Sequence, residues 1–285
     1  MPTMQLSEEL ASDIARMVEF ALTEDIGEDD ITARLITPDL NAQGSAITRQ
    51  AAVICGRPWV DEVYRQIDAR LTLDWLVEDG AEVSSGQVLF SVTGQAGTIL
   101  SGERTALNFL QTLSATATAS RHYSDLVKHT NVKLLDTRKT LPGLRRAQKY
   151  AVTCGGCFNH RMGLYDAFLI KENHISACGS ISAAVQLARK SHPKALLEVE
   201  VENLQELSQA VDAEPDVIML DNFPLQDVRF AVDAVNHPIK LEASGGVEGD
   251  EELIALAETG IDYISMGALT KNCQAVDLSM RLNLL

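Results

Sequence analysis

The sequence predicts an α+β half followed by an α/β half whose parallel strands form a closed or nearly closed barrel. Three observations lead there. From Ser45 to Ile99 strands and turns dominate, with a helical segment between them and another before them. After Thr130 short apolar runs end abruptly in polar residues, and segments of helical period fill the gaps. Alternation of that kind builds parallel sheets. A doubly wound open sheet is the alternative, but no G-x-G-x-x-G follows the first of these strands, so the dinucleotide fingerprint is missing.

Composition narrows the class. The chain has 285 residues, 46% of them hydrophobic, and a net charge of −16. It is long enough to bury a substantial core. Its acidity argues against nucleic acid or an anionic membrane as partner. No apolar run approaches the roughly 18 residues of a membrane span. The opening MPTMQLSEELASDIARMVEF is acidic and has no basic segment leading into an apolar one, so no leader and a cytoplasmic location are expected. Five cysteines (Cys55, Cys154, Cys157, Cys178, Cys273) imply no disulfide framework. Cys154-Gly-Gly-Cys157 has C-x-x-C spacing, yet His160 is the sole nearby addition to a zinc set. Small residues packing at a glycine turn are the favoured reading.

The elements follow in order. Leu10, Ile14, Met17, Val18, Ala21 and Leu22 recur at helical spacing, and the glycine and acids of EDIGEDDITARL end that helix. GSAITRQAAVICG and VEDGAEVSSGQVLFSVTGQAG read as strands with turn glycines, and PWVDEVYRQI between them is helical. A long helix comes next, with Ser101 as N-cap and Ala106, Leu107, Leu110, Leu113, Ala117 and Ala119 as its apolar stripe. Arg104 then falls in the first turn, against the helix dipole, either to meet an anion or to pair with Glu103. Six strands lie in VKLLDTRK, AFLIKENH, ALLEVEVE, DVIMLDN, IKLEASGG and DYISMGAL, starting near 132, 167, 195, 216, 239 and 262. Helices between them cover Ser180 to Lys190, Asn203 to Ala213 with an Asn203 and Glu206 cap pair, a segment with Pro224 at its first position, and Glu251 to Thr259.

Chemistry in such barrels collects where strands end. Those ends hold Asp136, Thr137, Arg138 and Lys139; Lys171, Glu172 and Asn173; Glu198 and Glu200; Asp221 and Asn222; Ser244, Gly245 and Gly246; and Ser265, Met266 and Gly267. The last two loops carry glycine and run toward helix N-termini, where backbone N–H groups and the dipole hold phosphate. Glu198 and Glu200 face inward and need partners. Glu200 either pairs structurally with Lys171 or forms, with Asp221, an oxygen site for a divalent metal or sugar hydroxyls. From Thr137 to Tyr165 there is no Asp or Glu, while Arg138, Lys139, Arg145, Arg146, Lys149, His160 and Arg161 all occur. A solvated basic face would explain that; so would a cleft for a multiply charged anion, which is preferred. Arginine forks suit planar carboxylates. The inferred ligand therefore carries phosphate for the glycine loops, phosphate with Mg2+ for the acids, and carboxylates for Arg138, His160, Arg161 and Lys171.

GERTALNFLQTLS, LLDTRKTLPGLR, NHRMGLYDAFLIKENH, EVEVEN, IMLDN, SGG and ISMGALTKN, in this order over nearly the whole chain, resemble quinolinate phosphoribosyltransferase, the nicotinate-nucleotide pyrophosphorylase family of NAD synthesis. The resemblance implies a type II phosphoribosyltransferase. Residues 1–114 would form an N-terminal α+β open-faced sandwich, residues 115–271 an incomplete seven-stranded α/β barrel, and tail 272–285 would pack with the first domain. The strand absent from the list above would lie near 152–157. The implied reaction joins quinolinate to phosphoribosyl pyrophosphate and yields nicotinate mononucleotide, CO2 and diphosphate, with Mg2+ and no organic cofactor. Quinolinate would be bound by Arg138, His160, Arg161 and Lys171, and by Arg104 from the other subunit of a homodimer. Lys139 would contact the phosphoribosyl donor, with Thr137 in the same substrate-binding set. Glu200 and Asp221 would hold ribose hydroxyls and Mg2+, and Ser244, Gly245, Gly246, Ser265, Met266 and Gly267 would cradle phosphate. Lys139, Lys171, Glu200 and Asp221 form the implied catalytic set. Cys157 departs from the family pattern, which places a smaller or different residue there. Two rivals remain: a related enzyme using another pyridine or anionic acid, and a Schiff-base lyase with Lys171 as nucleophile. A biotinyl or lipoyl carrier, suggested by VEDGAEVSSGQVLFSVTG, is excluded because no lysine occurs between residues 1 and 127.

Overall fold

The computed structural model places α1 (Glu8–Ile26), β1 (Asn41–Thr48), β2 (Ala52–Val53), α2 (Arg57–Ile67), β3 (Thr72–Trp75), β4 (Glu82–Val83), β5 (Val88–Gln95) and α3 (Ala96–Val127) in the first part of the chain. Next come β6 (Lys133–Leu135), α4 (Arg145–Cys154), β7 (Ala167–Ile170), α5 (Glu172–Cys178), α6 (Ile181–Ser191), β8 (Leu196–Val201) and α7 (Leu204–Ala213). Then follow β9 (Val217–Asp221), α8 (Leu225–Ala234), β10 (Lys240–Ser244), α9 (Asp250–Ala257), β11 (Tyr263–Ser265), α10 (Ala268–Lys271) and β12 (Leu278–Leu284). The structure describes residues 7–235, 238–246 and 249–285. Residues 1–6, the start of the stretch read for a leader, lie outside the described residues. No described helix is long and apolar enough to cross a membrane.

The chain divides into two compact units. One takes the chain through Arg121 together with Leu141–Gly156 and Asn272–Leu285; the other takes His122–Thr140 and Cys157–Lys271. In the first unit an antiparallel sheet has the order β12-β1-β5-β3. Small residues on alternate positions of β1 (Ala42, Gly44, Ala46) face the core. Gly44 is needed there, because a Cβ would lie 2.8 Å from Met280 Sδ and 3.1 Å from Ile99 Cγ2. Trp59, Val63 and Tyr64 of α2, Leu89 and Phe90 of β5, and Leu107, Leu110 and Leu113 of α3 fill that core. Ser7 caps α1 by accepting the Leu10 N–H, and α1 buries Ile14 and Val18.

The long helix starts earlier than its sequence suggests. β5 runs straight into α3, and Gln95 Oε1 caps it by accepting from Thr98 N at 2.5 Å and Thr98 Oγ1 at 2.7 Å. Ser101 is therefore not the cap; inside the helix, its hydroxyl donates to Asp30 Oδ2 at 2.7 Å. Arg104 sits about two turns beyond the start, so the argument from an opposing dipole lapses. The acid-free stretch is also divided. Its α4 portion belongs to the first unit, where Arg146 reaches Glu9 at 3.1 Å and Asp13 at 3.2 Å of α1, and Lys149 is fully buried.

In the second unit six parallel strands have the order β6-β11-β10-β9-β8-β7. They begin at Lys133, Ala167, Leu196, Val217, Lys240 and Tyr263, within one residue of each expected start. Asn203 caps α7 as expected; Ser180, expected to open its helix, is the N-cap of α6, and Pro224 is the N-cap of α8 rather than its first residue. The seventh strand is not found at 152–157. Val152 to Cys154 end α4, and Gly155 and Gly156 turn the chain. Beside β6 there is one isolated parallel bridge, Leu135 to Phe158. Phe158 N donates to Leu134 O at 2.8 Å, and Asp136 N to Phe158 O at 3.0 Å.

Candidate active site

The site is written by the period of two in the second sheet. Glu198 pairs across with Val217 and with Leu169, Glu200 with Met219, and Met219 with Glu242. Glu242 pairs with Tyr263. Alternate residues share a face, so Glu198, Glu200, Asp221, Glu242, Ser244 and Ser265 lie on one side of the sheet, and Lys171 continues that side at the end of β7. An acidic inner face of this kind demands cations or shared protons.

At the rim, Lys171 Nζ donates to Glu200 Oε2, so the pairing weighed from sequence exists. Burial raises the Glu200 pKa; the Lys171 hydrogen bond opposes that, and the neighbouring Asp221 charge adds to it. The backbone of Lys171 is held as well: its N–H donates to His174 Nδ1 at 3.0 Å, and His174 N returns a bond to Lys171 O at 2.8 Å. Arg161 is half-buried, and its pKa is lowered by burial and by the positive charge of Arg138. Two guanidinium groups therefore share one small region. Arg161 Nη1 also donates to Ala167 O at 3.3 Å.

The glycine loops have specific geometry. Gly245 has φ +86°, and a Cβ there would fall 2.1 Å from Asn222 Oδ1. Asn222, itself at φ 54°, donates from Nδ2 to Asp221 Oδ2 at 3.0 Å. Glycine at 245 thus lets the end of β9 press against the end of β10. The first turn of α9 carries Asp250, Glu251 and Glu252, so a phosphate near Ser244 to Gly246 would lean on loop backbone and not on that helix. At the last loop, a Cβ on Gly267 would lie 3.1 Å from Lys139 Cδ. The Lys139 stem crosses that turn, Thr270 Oγ1 donates to Lys139 O at 2.8 Å, and Lys139 N donates to Thr137 Oγ1 at 3.0 Å. Met266 N donates to Leu135 O at 2.9 Å.

Deeper on the same face, His160 Nε2 stands 2.9 Å from Glu198 Oε2 and 3.6 Å from Glu242 Oε2. Of the four groups expected at carboxylates, His160 is the one whose ring nitrogens are both engaged, since Nδ1 accepts the Arg161 N–H at 2.7 Å. Sequence reasoning missed Glu242. Its signal was its place two residues before Ser244, on the same face. Arg104 lies exposed on α3, in the first unit. Cys154 groups not with a second zinc pair but with Cys55 and Asp79, their ligand atoms all within 4.8 Å of one another. Asp79 is occupied there, accepting from Gly56 N at 2.9 Å, Arg57 N at 3.1 Å and Tyr150 Oη at 2.8 Å.

A parallel α/β sheet with glycine turns, rim carboxylates and converging cations defines an enzyme for small polyanions. Known proteins sharpen that class. The model of the quinolinate phosphoribosyl transferase N-terminal domain matches residues 29–114, and that of its C-terminal domain matches residues 116–281. The chain belongs to the quinolinate phosphoribosyl transferase family. It is 38% identical over 272 residues to the probable nicotinate-nucleotide pyrophosphorylase (carboxylating) of Bacillus subtilis, covering 95% of this chain and 94% of that one. It is 40% identical over 272 residues to the nicotinate-nucleotide pyrophosphorylase (carboxylating) of Mycobacterium leprae, covering 92% and 94%. The solved structure of the nicotinate-nucleotide pyrophosphorylase from Francisella tularensis superposes with a TM-score of 0.94 at 44% identity, over 98% of both chains.

Proposed function

We propose that this protein transfers the phosphoribosyl group of phosphoribosyl pyrophosphate to quinolinate and releases CO2 and diphosphate, giving nicotinate mononucleotide in NAD biosynthesis. The names of its relatives and its membership of the family support the reading. Among structural observations, the one that carries it is the convergence of Arg138 and Arg161 in one small region of the rim, where burial first and the Arg138 charge second lower the Arg161 pKa. Cations gathered with acids at one rim suit a ligand that carries several anionic groups.

In this reading Arg138, Arg161 and Lys171 take the two carboxylates, with His160 behind them. Quinolinate draws Lys171 off Glu200, and the freed Glu200, with Asp221, turns to the ribose hydroxyls. Lys139 and the Ser244–Gly246 and Ser265–Gly267 loops hold the phosphates. The pyridine nitrogen attacks the anomeric carbon, the C–O bond to diphosphate breaks, and the electron pair leaves with diphosphate. Rim carboxylates stabilise the positive charge on the sugar. The alkylated ring nitrogen is cationic, so it stabilises the carbanion left when the adjacent carboxylate departs as CO2; a proton then fills that position. Positioning supplies much of the rate.

The oxygen donors Glu200 and Asp221 suit a hard cation, and among the described residues no third His, Cys or acid completes a cage with them. Mg2+ would thus be held by these two together with donor phosphates and water, and would offset charge on diphosphate. The reading takes the protein as a cytoplasmic homodimer, with Arg104 supplied to quinolinate by the other subunit. The Schiff-base rival is separated by borohydride trapping with a carbonyl substrate, which would leave an adduct on Lys171 that phosphoribosyl transfer does not form. A substrate panel tests the reading. With phosphoribosyl pyrophosphate and Mg2+, quinolinate should be consumed at least a hundredfold faster than nicotinate, which lacks the second carboxylate. Equal use of both acids would contradict it.

A further inference from the structure

The inner face of the second unit holds more acid than the rim chemistry uses. Glu198 and Glu242 are almost fully buried, and the Oε1 of each lacks a hydrogen-bond partner among the described residues. His160 stands between them, its Nε2 nearer Glu198 (2.9 Å) than Glu242 (3.6 Å). The other ring nitrogen accepts the Arg161 N–H. A nitrogen that accepts carries no proton, so the imidazole proton sits on Nε2, directed at Glu198. The backbone N–H of His160 donates to buried Asp136 at 2.9 Å, and Asn159 Nδ2 donates to the other oxygen of Asp136 at 2.6 Å. The peptide from Asn159 to Arg161 is thereby fastened on both sides: by Asp136 through the backbone, and by the acid pair through the ring.

Two carboxylates this close do not both ionise in a dry site without a cation between them. Burial, then the charge of Glu198, pushes Glu242 up to about 8. Glu242 thus favours its neutral form, beside the Glu198 oxygen that His160 Nε2 meets at 2.9 Å.

We propose that Glu242 is a positioning residue for the reaction: paired with Glu198, it locks the His160 ring with its proton on Nε2, and the ring fixes the backbone from which Arg161 reaches the substrate carboxylate. The inference rests on the reading of the rim as a dicarboxylate site. The competing account is a divalent cation held by His160, Glu198 and Glu242, whose ligand atoms lie within 4.8 Å of one another. That account needs Nε2 without its proton and both acids charged.

Three measurements on the full chain decide it. Glu242→Gln keeps a neutral partner in place and should leave KM for quinolinate within about threefold of wild type, whereas Glu242→Ala should raise it about tenfold or more. KM for phosphoribosyl pyrophosphate should change less than about twofold in both, because the lock serves Arg161 and not the phosphate loops. Glu242→Leu gives the same comparison if the alanine variant does not fold. Long-range proton–nitrogen spectra of the substrate-free protein should show His160 with its proton on Nε2 in wild type and in Glu242→Gln, and a mixture of tautomers in Glu242→Ala. The proposal is overturned if Glu242→Gln is as damaging as Glu242→Ala, if neither changes the quinolinate KM, or if His160 carries its proton on Nδ1. Failure of wild type to use quinolinate would defeat the rim reading; the spectrum, taken without substrate, still upholds or overturns the lock.

Discussion

The two sheets of this protein bury opposite kinds of surface. The antiparallel sheet of the first unit covers a core of Trp59, Val63, Tyr64, Leu89 and Phe90, and its β1 is made small so that helix and strand approach closely. The parallel sheet of the second unit turns Glu198, Glu200 and Glu242 inward and pairs them with His160 and Lys171. Burying an apolar side chain contributes about 1.5–3 kcal/mol. Burying a carboxylate does the reverse unless a partner or a proton offsets it. The first arrangement serves stability. The second carries a cost in stability that the proposed chemistry at its rim would explain.

Substitutions that exchange these roles would break the comparison. The largest effect should come from Phe90→Ala, which empties space beside Trp75, whose ring centroid lies 4.6 Å away. Stability should fall by about 3–5 kcal/mol in denaturant titrations. The KM of the protein that remains folded should be unchanged; a large shift in KM would mean the core has a direct part in the site. Next comes Arg161→Ala. It should raise KM for quinolinate about a hundredfold, or roughly 2.7 kcal/mol of binding, with a melting temperature close to wild type. A lowered melting temperature with normal KM would make Arg161 a structural residue.

A smaller effect should appear in the pH dependence of stability. Glu242 has its pKa raised from 4.5 to about 8 in the folded state, so folding holds its proton more tightly than the unfolded chain does. Its contribution is therefore present at low pH and declines as pH rises through that window. Glu242→Gln has no proton to lose. Its melting temperature should fall less than that of wild type between pH 6 and pH 9, by an amount reflecting on the order of a few kcal/mol at most. Parallel curves for the two proteins would show that the acid is not held neutral.

The same contrast explains what the sequence disclosed. Parallel strands announced themselves, because AFLI, LLEVEV and VIML are short apolar runs cut off by polar residues. Asn203 was readable as a cap because it places an oxygen three residues before a free N–H; Ser180 does the same for α6 without having been read as one. Lys171, Glu200, Asp221 and the glycine loops were legible as strand ends, because each follows or closes one of those runs. Other features had no local signal. Gln95 displaced Ser101 as cap because the strand before α3 leads directly into it. Helix α4 buries Ala147, Gln148, Lys149, Ala151 and Val152, and the buried Gln148 and Lys149 disguise its inward face. The bridge at Phe158 is a single residue pair, so no apolar run marks it. Glu242 is a lone acid between Leu241 and Ala243, and its meaning depends on His160, 82 positions earlier in the chain. Such long-range pairings are set by register, which a single sequence does not display.

The central claim is that the inner face of the parallel sheet and its rim hold quinolinate against an activated sugar phosphate. The most direct measurement is the ratio of CO2 released from carboxyl-labelled quinolinate to diphosphate formed, with purified protein, phosphoribosyl pyrophosphate and Mg2+. The account predicts about one CO2 per diphosphate, and none when phosphoribosyl pyrophosphate is omitted, because only the alkylated ring stabilises the carbanion. CO2 release without the sugar donor, or diphosphate without CO2, would contradict it.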